Sequence, residues 1–576
     1  MTTFETGISR RHFLTGVAAT GALAAFGLAG CAPKTRDTAP AESAQEASTA
    51  NDTPDWLGTA PEIDPADIIE TRETELLIIG AGNGGMSAAA TAADLGLDFT
   101  LCEKTGDIQK SRHWFGAINT RYTEAAGAHV DEGRLLNEFS RYASGQCDQR
   151  VINVWIRESK DVVEWIDPIL TAAGMKCAFD NDIDHETGGT SYYLAPMEHY
   201  YSGKDAEGKS LDRNTILLHY IQERGYDVTY NHDLAKLVQD ENGKVTGAIF
   251  KVTDGYVQIN SQLGVLLTTG GYVSNAEMLR ACNPMVDRCV TLQYGSPNNT
   301  GGGIKAALWA GAAKDTIGAP MIFDRGAVFP GEDAGIVTEP GEIAGFRGTD
   351  KQFNLGSQPF MKVTRDGRRF CNESTPYDFC CFAAAEHNGG VFCQIFDANL
   401  KEDVKRFSTI GCSRQTQQLL AKEADTPIDE IYAAELEKGV MKKSDTIEDL
   451  ADELGFTGEA KETFLAEVER YNGFFDAQAD TDFGKEAYRL SSLRTPPFYG
   501  VWYGGSLLTT VDGIRINENM QCLNAQGQVI EGLWAAGDCS GSVFGNNYPE
   551  CIVGCACGRT ITFGRHAVRH MAGDIA

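Results

Sequence analysis

The residues best suited to chemistry are Gly80-Ala81-Gly82-Asn83-Gly84-Gly85, directly after the β-rich run Glu75-Leu76-Leu77-Ile78-Ile79 and before an Ala-rich stretch that reads as a helix to Gly96. Gly80 suits a tight turn, Gly82 lets backbone approach a pyrophosphate, and Gly85 permits close packing of helix on strand. Asn83 and Gly84 complete the set at the helix N-terminus, where N–H groups and the positive dipole end favour phosphate. A second short strand, Phe99-Thr100-Leu101-Cys102, delivers Glu103 about twenty residues on, where a carboxylate takes ribose hydroxyls. Strand, glycine turn, helix, strand and acid in this order predict a dinucleotide site.

Distant segments make that dinucleotide FAD. Val265-Leu266-Leu267-Thr268-Thr269-Gly270-Gly271 reads as a buried strand ending in glycines. Gly532-Leu533-Trp534-Ala535-Ala536-Gly537-Asp538 is another, with its acid placed for the ribityl or pyrophosphate region. Between them Asn299-Thr300-Gly301-Gly302-Gly303-Ile304 opens one more helix. A plain nicotinamide domain has no use for these additions.

The rest of the chain must position that site. With 576 residues, 42% of them hydrophobic, it can bury a large core, and its length suggests two or three domains. A formal charge of −30 argues against a grip on nucleic acid, which needs clustered Lys and Arg. Sixteen cysteines without regular C-x-x-C pairs resemble neither a disulfide scaffold nor a zinc module, and are expected to be mostly buried thiols. No metal site is expected. Beyond the amino terminus no apolar run is long enough to span a bilayer, for which about 20 residues are needed.

Residues 1–30 read as a signal: Ser9-Arg10-Arg11-His12-Phe13-Leu14 precedes a mild apolar stretch, the pattern of twin-arginine export of folded proteins. The segment ends in Leu28-Ala29-Gly30-Cys31, which resembles a bacterial lipobox and implies lipidation of Cys31. The expected location is therefore extracytoplasmic, anchored by lipid to the bacterial cell membrane. Residues 31–70, rich in Ala, Thr, Ser, Pro and acids, read as a flexible tether.

From about residue 71 to the end the chain resembles the flavoprotein family of soluble fumarate reductases, urocanate reductases and 3-ketosteroid dehydrogenases. The markers are the Gly80 turn with Glu103-Lys104, Thr269-Gly270-Gly271, Thr300-Gly301-Gly302-Gly303, Asp366-Gly367-Arg368-Arg369-Phe370-Cys371-Asn372-Glu373, Ala536-Gly537-Asp538 and the helix from Gly554 to Arg565. The resemblance implies an α/β fold: a Rossmann-like FAD-binding domain from both ends of the chain (71–318 and 507–576) and an inserted α+β capping domain (319–506). It adds Gly116, Ile552 and Val553 to the residues around a non-covalent FAD. His113 lies near where some relatives attach FAD covalently, though off register. Lacking a Cys-x-x-Cys-His haem signature or room for a second flavin domain, the chain is expected to draw electrons from an external donor, such as a membrane-linked cytochrome or a quinol-fed flavoprotein. An iron–sulfur role for Cys551, Cys555 and Cys557 fits no common cluster spacing.

The sequence departs from the fumarate-reducing branch at three places. Tyr377 occupies the slot of the arginine proton donor, Tyr548 in Asn547-Tyr548-Pro549 that of a carboxylate-clamping arginine, and Thr509 that of a histidine. Losing three dicarboxylate-reading groups argues against a C4 diacid. Phenols at these places resemble the ketosteroid-dehydrogenase branch, and a neutral donor suits a neutral carbonyl. The expected reaction is reduction of an activated carbon–carbon double bond of a small enone- or enoate-type molecule. Hydride would come from flavin N5, with Tyr377 as proton donor at carbon and Tyr548 polarising the carbonyl, or the reverse assignment. Desaturation of a 3-ketosteroid-like substrate by the same residues is the alternative, and a flavin-bearing electron carrier a third. Thr509, Arg347, reaching from the cap, and His199, at the entrance, are weaker candidates for substrate contact.

Overall fold

The computed structural model describes residues 55–112, 114–180, 195, 197–407, 428–549 and 552–575. Cys31, His113 and Cys551 lie outside the described residues, as does the whole signal segment.

Apolar runs that the sequence shows as unbroken become central strands of an eight-stranded sheet, buried on both faces as parallel strands require. Ile68–Ile79 pairs in parallel with Phe99–Cys102 on one side and with Gly255–Leu267 on the other. Val529–Ala535 continues the parallel order beside Gly255–Leu267. The registers Ile79↔Cys102, Ile79↔Leu267 and Ala535↔Leu267 bring four strand ends level. Ligands of open α/β sheets lie just beyond such carboxyl ends. On one face the Ala-rich helix Asn83–Leu95 packs against the closing helix Cys555–Met571, where Ser87 donates to the Ile561 carbonyl at 2.7 Å. The two backbones approach so closely that a Cβ at Gly564 would come within 2.4 Å of the Gly84 carbonyl.

A six-stranded sheet is built around Phe498–Thr510, buried along almost its whole length. Its first half pairs with Phe392–Phe396 and Met441–Ser444, and its second half with Pro320–Val328 and Val290–Gln293. This strand runs unbroken across residue 507, carrying Thr509 from the second sheet to the ends of the first. A small antiparallel sheet joins Trp114–Gly116, Glu198–Ser202 and Lys176–Asp180.

The architecture is mixed α/β, as the sequence predicts. The described part of the expected tether is not all loose, however. Trp56 packs against the core, Trp309 Nε1 donates to the Gly58 carbonyl at 3.2 Å, and the first strand begins at Ile68 rather than at Glu75. Residues 70–73 are polar and their side chains are exposed or partly so, while their backbone is paired with the early part of Gly255–Leu267. Every described cysteine is a free thiol, and most are buried. Among the described residues no helix is long and apolar enough to cross a membrane.

Candidate active site

At the level strand ends the first sheet opens into a cavity of about 590 Å³. The glycines of its turn divide by what confines them. Gly80 has φ +104°, and a Cβ there would lie 2.6 Å from the Thr268 carbonyl; one at Gly85 would lie 1.8 Å from the Gly80 carbonyl. The protein's own packing excludes side chains at both. A Cβ at Gly82 would meet nothing within 4 Å, and the same holds at Gly302. There the bare backbone faces the cavity, which is where a ligand's phosphates could come close.

Glu103 lies at the end of Phe99–Cys102 and fixes this turn. Its Oε2 accepts from the Ala81 N–H at 2.9 Å, and its Oε1 from the Thr105 N–H and hydroxyl. Lys104, also on the cavity wall, reaches the Thr300 hydroxyl at 3.4 Å. Asn83 accepts from Arg213 Nη2 at 2.8 Å. That guanidinium is buried, its Nε has no partner, and its charge adds to the dipole of the helix it touches. Across the cavity stand Thr269, Gly270, Gly537 and Asp538. Helix Gly302–Trp309 packs on Thr269 so tightly that a Cβ at Gly303 would lie 2.0 Å from its hydroxyl.

Asp538 is held from two sides. Thr509 donates to its Oδ2 at 3.0 Å, and buried Arg559 approaches its Oδ1 at 3.4 Å. Burial pushes this carboxyl above the usual range, while Arg559 and Thr509 oppose the shift. Gly116 does not line the cavity but lets the closing helix reach it. Its N–H donates to the Gly554 carbonyl at 2.9 Å, and a Cβ at Gly558 would lie 1.8 Å from the Gly116 carbonyl. Val553, Gly554 and Cys557 thereby face the cavity, while Ile552 is buried beside them.

Tyr294, Met321, Phe323 and Leu508 give the cavity an apolar lining, and Tyr548 also faces it. The Tyr548 ring packs on Phe544 at 5.5 Å. Tyr377 does not line the cavity. It is the first residue of helix Tyr377–Ala384, and its ring lies behind that of Phe323, 5.9 Å between centroids. Arg325 places its guanidinium 5.0 Å from both ring centroids, and its Nε donates to Ser357 at 2.6 Å. The buried cation thus stands behind the aromatic wall.

The weaker candidates sit elsewhere. Arg347 is half-exposed and pairs with Glu332 at 3.3 Å, away from the cavity. His199 is fully buried in the small sheet rather than at an entrance. Thr120 Oγ1 is 2.7 Å from its Nε2 and the Met197 carbonyl 2.9 Å from its Nδ1, and burial pushes its pKa down to about 4. It is a neutral, satisfied core histidine. Sequence reasoning missed Arg213, Arg325 and Arg559, whose only signal is an arginine within a largely apolar segment. Cys555 and Cys557 are buried thiols, and among the described residues no His, Cys, Asp or Glu group is arranged to hold a metal ion.

The cavity fits FAD. Open backbone at Gly82 and Gly302, the charge of Arg213 beside a helix start, Glu103 at the second strand's end and Asp538 at the fourth answer the phosphates, ribose and ribityl chain of that cofactor.

The family described as FAD binding domain matches residues 75–554. The chain is 24% identical over 506 residues to vinyl phenol reductase of Lactiplantibacillus plantarum, covering 86% of this chain and 96% of that one. It is 25% identical over 622 residues to digoxin reductase of Eggerthella lenta, covering 99% and 97%. In fold it is similar to 3-ketosteroid delta1-dehydrogenase from Sterolibacterium denitrificans, with a TM-score of 0.66 at 20% identity over 88% of this chain and 100% of that one. The open conformation of a flavocytochrome c3 fumarate reductase aligns with a TM-score of 0.62 at 23% identity, covering 88% and 79%.

Proposed function

The chain belongs to the FAD binding domain family, as an FAD-dependent oxidoreductase acting on CH–CH groups, and from that premise we propose that it reduces an activated carbon–carbon double bond in a small neutral molecule. The observation that carries this reading is Tyr548: a phenol faces the cavity lined by the Gly80 turn, Asp538 and apolar side chains, while Arg325 is kept behind Phe323. A wall with a neutral donor in front and a cation behind favours a ketone, ester or phenol-conjugated alkene over a dicarboxylate. Vinyl phenol reductase among the relatives supports the same substrate class.

FAD, held non-covalently, supplies the hydride when reduced. Tyr548 donates a hydrogen bond to the oxygen conjugated with the double bond, steadying the charge that develops there without adding a buried ion. Tyr377, the sequence's candidate proton donor at carbon, stands behind the Phe323 ring, so to act its hydroxyl would have to reach the cavity past that ring. Glu103, Arg213 and the helix start at Asn83 bind and orient the cofactor, and the ring of Tyr294, Met321, Phe323 and Leu508 excludes water from the reacting atoms. The capping segment 319–506 supplies the second-sheet residues behind this wall. Export by the twin-arginine route and a lipid at Cys31 would place the enzyme outside the cytoplasm, facing an external electron donor.

Anaerobic mixing of the reduced holoprotein with enones, cinnamate-type enoates, vinyl phenols and steroids tests the reading through reoxidation of the flavin. Tyr548→Phe is expected to keep its FAD and lower kcat by about 10²- to 10³-fold, the usual weight of one donor to a developing oxyanion. Turnover seen only as dye-coupled desaturation of a ketosteroid would reverse the assigned direction, and redox change without turnover of any alkene would leave an electron carrier.

A further inference from the structure

Tyr377 and Tyr548 come from segments far apart in the chain, and one buried carboxyl ties the residues beside both. Asp378 follows Tyr377 in the first turn of helix Tyr377–Ala384. Its Oδ1 accepts from the Tyr142 hydroxyl at 2.8 Å and from the Phe379 N–H at 3.0 Å. The side chain of Asn547, the residue before Tyr548, lies beside the same carboxyl. The Tyr142 ring stacks on Phe379 at 5.1 Å, closing the cluster from the helix Glu132–Tyr142. Asp378, Tyr142 and Asn547 are all buried.

The two oxygens of Asp378 are treated unequally. The resolved donors converge on Oδ1, whereas Oδ2 is buried without a partner, as is Oδ1 of Asn547. An ionised carboxylate with one bare oxygen in a dry interior is unfavourable. A neutral acid with its proton on Oδ2 is not, because it turns that oxygen into a donor and keeps Oδ1 as the acceptor.

Among the described residues no cation pairs with Asp378 to reverse this preference. Facing Asp378 are Tyr142, Asn547, the Cys289 thiol from helix Pro284–Cys289 and the Cys381 thiol of its own helix. On the strand Pro320–Val328, Arg325 is directed to the Tyr377 ring and Asp324 to Lys362. Tyr503 of the strand Phe498–Thr510 lies toward Asp324. Burial accordingly pushes the Asp378 carboxyl up to about 7, against the pull of its donors.

We propose that Asp378 is a positioning residue: as a neutral acid it offers its Oδ2 proton to the bare Oδ1 of Asn547, clasping the start of the Tyr377 helix to the Tyr548 loop, and its ionisation removes that donor and releases the clasp. This rests on the reading that the two tyrosines serve the reaction. It implies that the geometry suited to turnover exists on the acid side of neutrality and is lost as pH rises through it.

Three measurements on the holoprotein test it. Infrared difference spectra across the neutral range should show a protonated-carboxyl C=O band that disappears with rising pH and is missing from Asp378→Asn. Amide exchange in residues 377–384 and 541–549 should speed up with pH in the wild type beyond its ordinary base catalysis, and not in Asp378→Asn, whose amide mimics the neutral acid. In kcat, the wild type should show an inflection near neutrality that Asp378→Asn lacks. Tyr142→Phe removes a donor that favours the charged form, so its inflection should move to higher pH. Should Asp378→Asn fail to fold, that shift decides the matter. Identical infrared bands in wild type and variant, or an inflection that neither substitution moves, overturns the proposal. The infrared and exchange results stand even if no alkene is turned over, so failure of the clasp and failure of the enzymatic reading are separable.

Discussion

Glu373 and Asp378 stand five positions apart, both buried, and their carboxyls shift in opposite directions. Glu373 belongs to an ionic cluster under the second sheet. Arg369 grips it through Nε at 2.7 Å and Nη2 at 2.8 Å, Lys485 adds a contact at 3.3 Å, and Asp480 shares the same guanidinium at 2.9 Å. Those cations overcome the desolvation of both acids and hold the carboxyls of Glu373 and Asp480 down to about 2. Asp378 meets a phenol, an amide and a backbone N–H instead, and rises to about 7. Burial alone therefore sets no direction; the balance between desolvation and the close cations and donors that oppose it does. The first region is a permanently charged brace, and the second is left able to titrate beside the tyrosines.

The strongest way to break this contrast is Arg369→Ala. It leaves Glu373 and Asp480 buried with less countercharge, and removal of one partner from such a cluster costs about 3–5 kcal/mol. Chemical denaturation of the holoprotein should show that loss, with a lower midpoint and an unchanged slope. Stability within about 1 kcal/mol of wild type would mean that the cluster is wet or rearranges, which removes the brace from the comparison.

The two carboxyls also predict opposite pH dependence. Glu373 has a folded-state pKa below its usual 4.5, so its contribution is present above that value and is lost as pH falls toward 2. Asp378 has a folded-state pKa above its usual 3.8, so its contribution is full below that value and is lost as pH rises through about 7. Across that window the loss is at most about 4 kcal/mol. The stability of Asp378→Asn should therefore lack this component, and the gap between wild type and variant should change steadily from pH 4 to pH 8. Parallel curves would show that Asp378 does not hold its proton in the fold.

Much of the site was legible because backbone geometry dictates residue type. Gly80, Gly82 and Gly85 are needed by a turn, a cofactor approach and a helix contact, and Glu103, Gly270, Gly537 and Asp538 follow at strand ends. The parallel strands were visible as apolar runs for the same reason. What sequence could not give is the pairing of buried charges. Arg213 meets Asn83 across 130 residues and Tyr142 meets Asp378 across 236, and no spacing rule links such positions. The first strand was read as too short because residues 70–74 are paired through backbone while their side chains are polar. Arg347 and His199 looked available because chemistry-bearing residue types say nothing about which way a side chain points. Tyr377 occupies a motif position, yet only the packing shows Phe323 in front of it.

Asp538 lies between the two extremes and gives the finest test of the comparison. Its partners are one buried cation at 3.4 Å and one hydroxyl at 3.0 Å, fewer than Glu373 has and with a charge that Asp378 lacks. Its carboxyl is raised, so desolvation wins, but not unopposed. Thr509→Ala removes the hydroxyl and leaves Arg559 in place. A hydrogen bond to a charged group contributes about 1.5–3 kcal/mol at most, and a half-exposed acceptor can recover part of that from water. The carboxyl should therefore rise further, by an amount equivalent to about 1 kcal/mol or less. If ionised Asp538 takes part in holding FAD, the pH dependence of FAD affinity, followed by flavin fluorescence quenching, should shift to higher pH in Thr509→Ala, with affinity on the alkaline side nearly unchanged. An unshifted curve would mean that Arg559 alone opposes desolvation at Asp538 and that the Thr509 hydroxyl adds nothing.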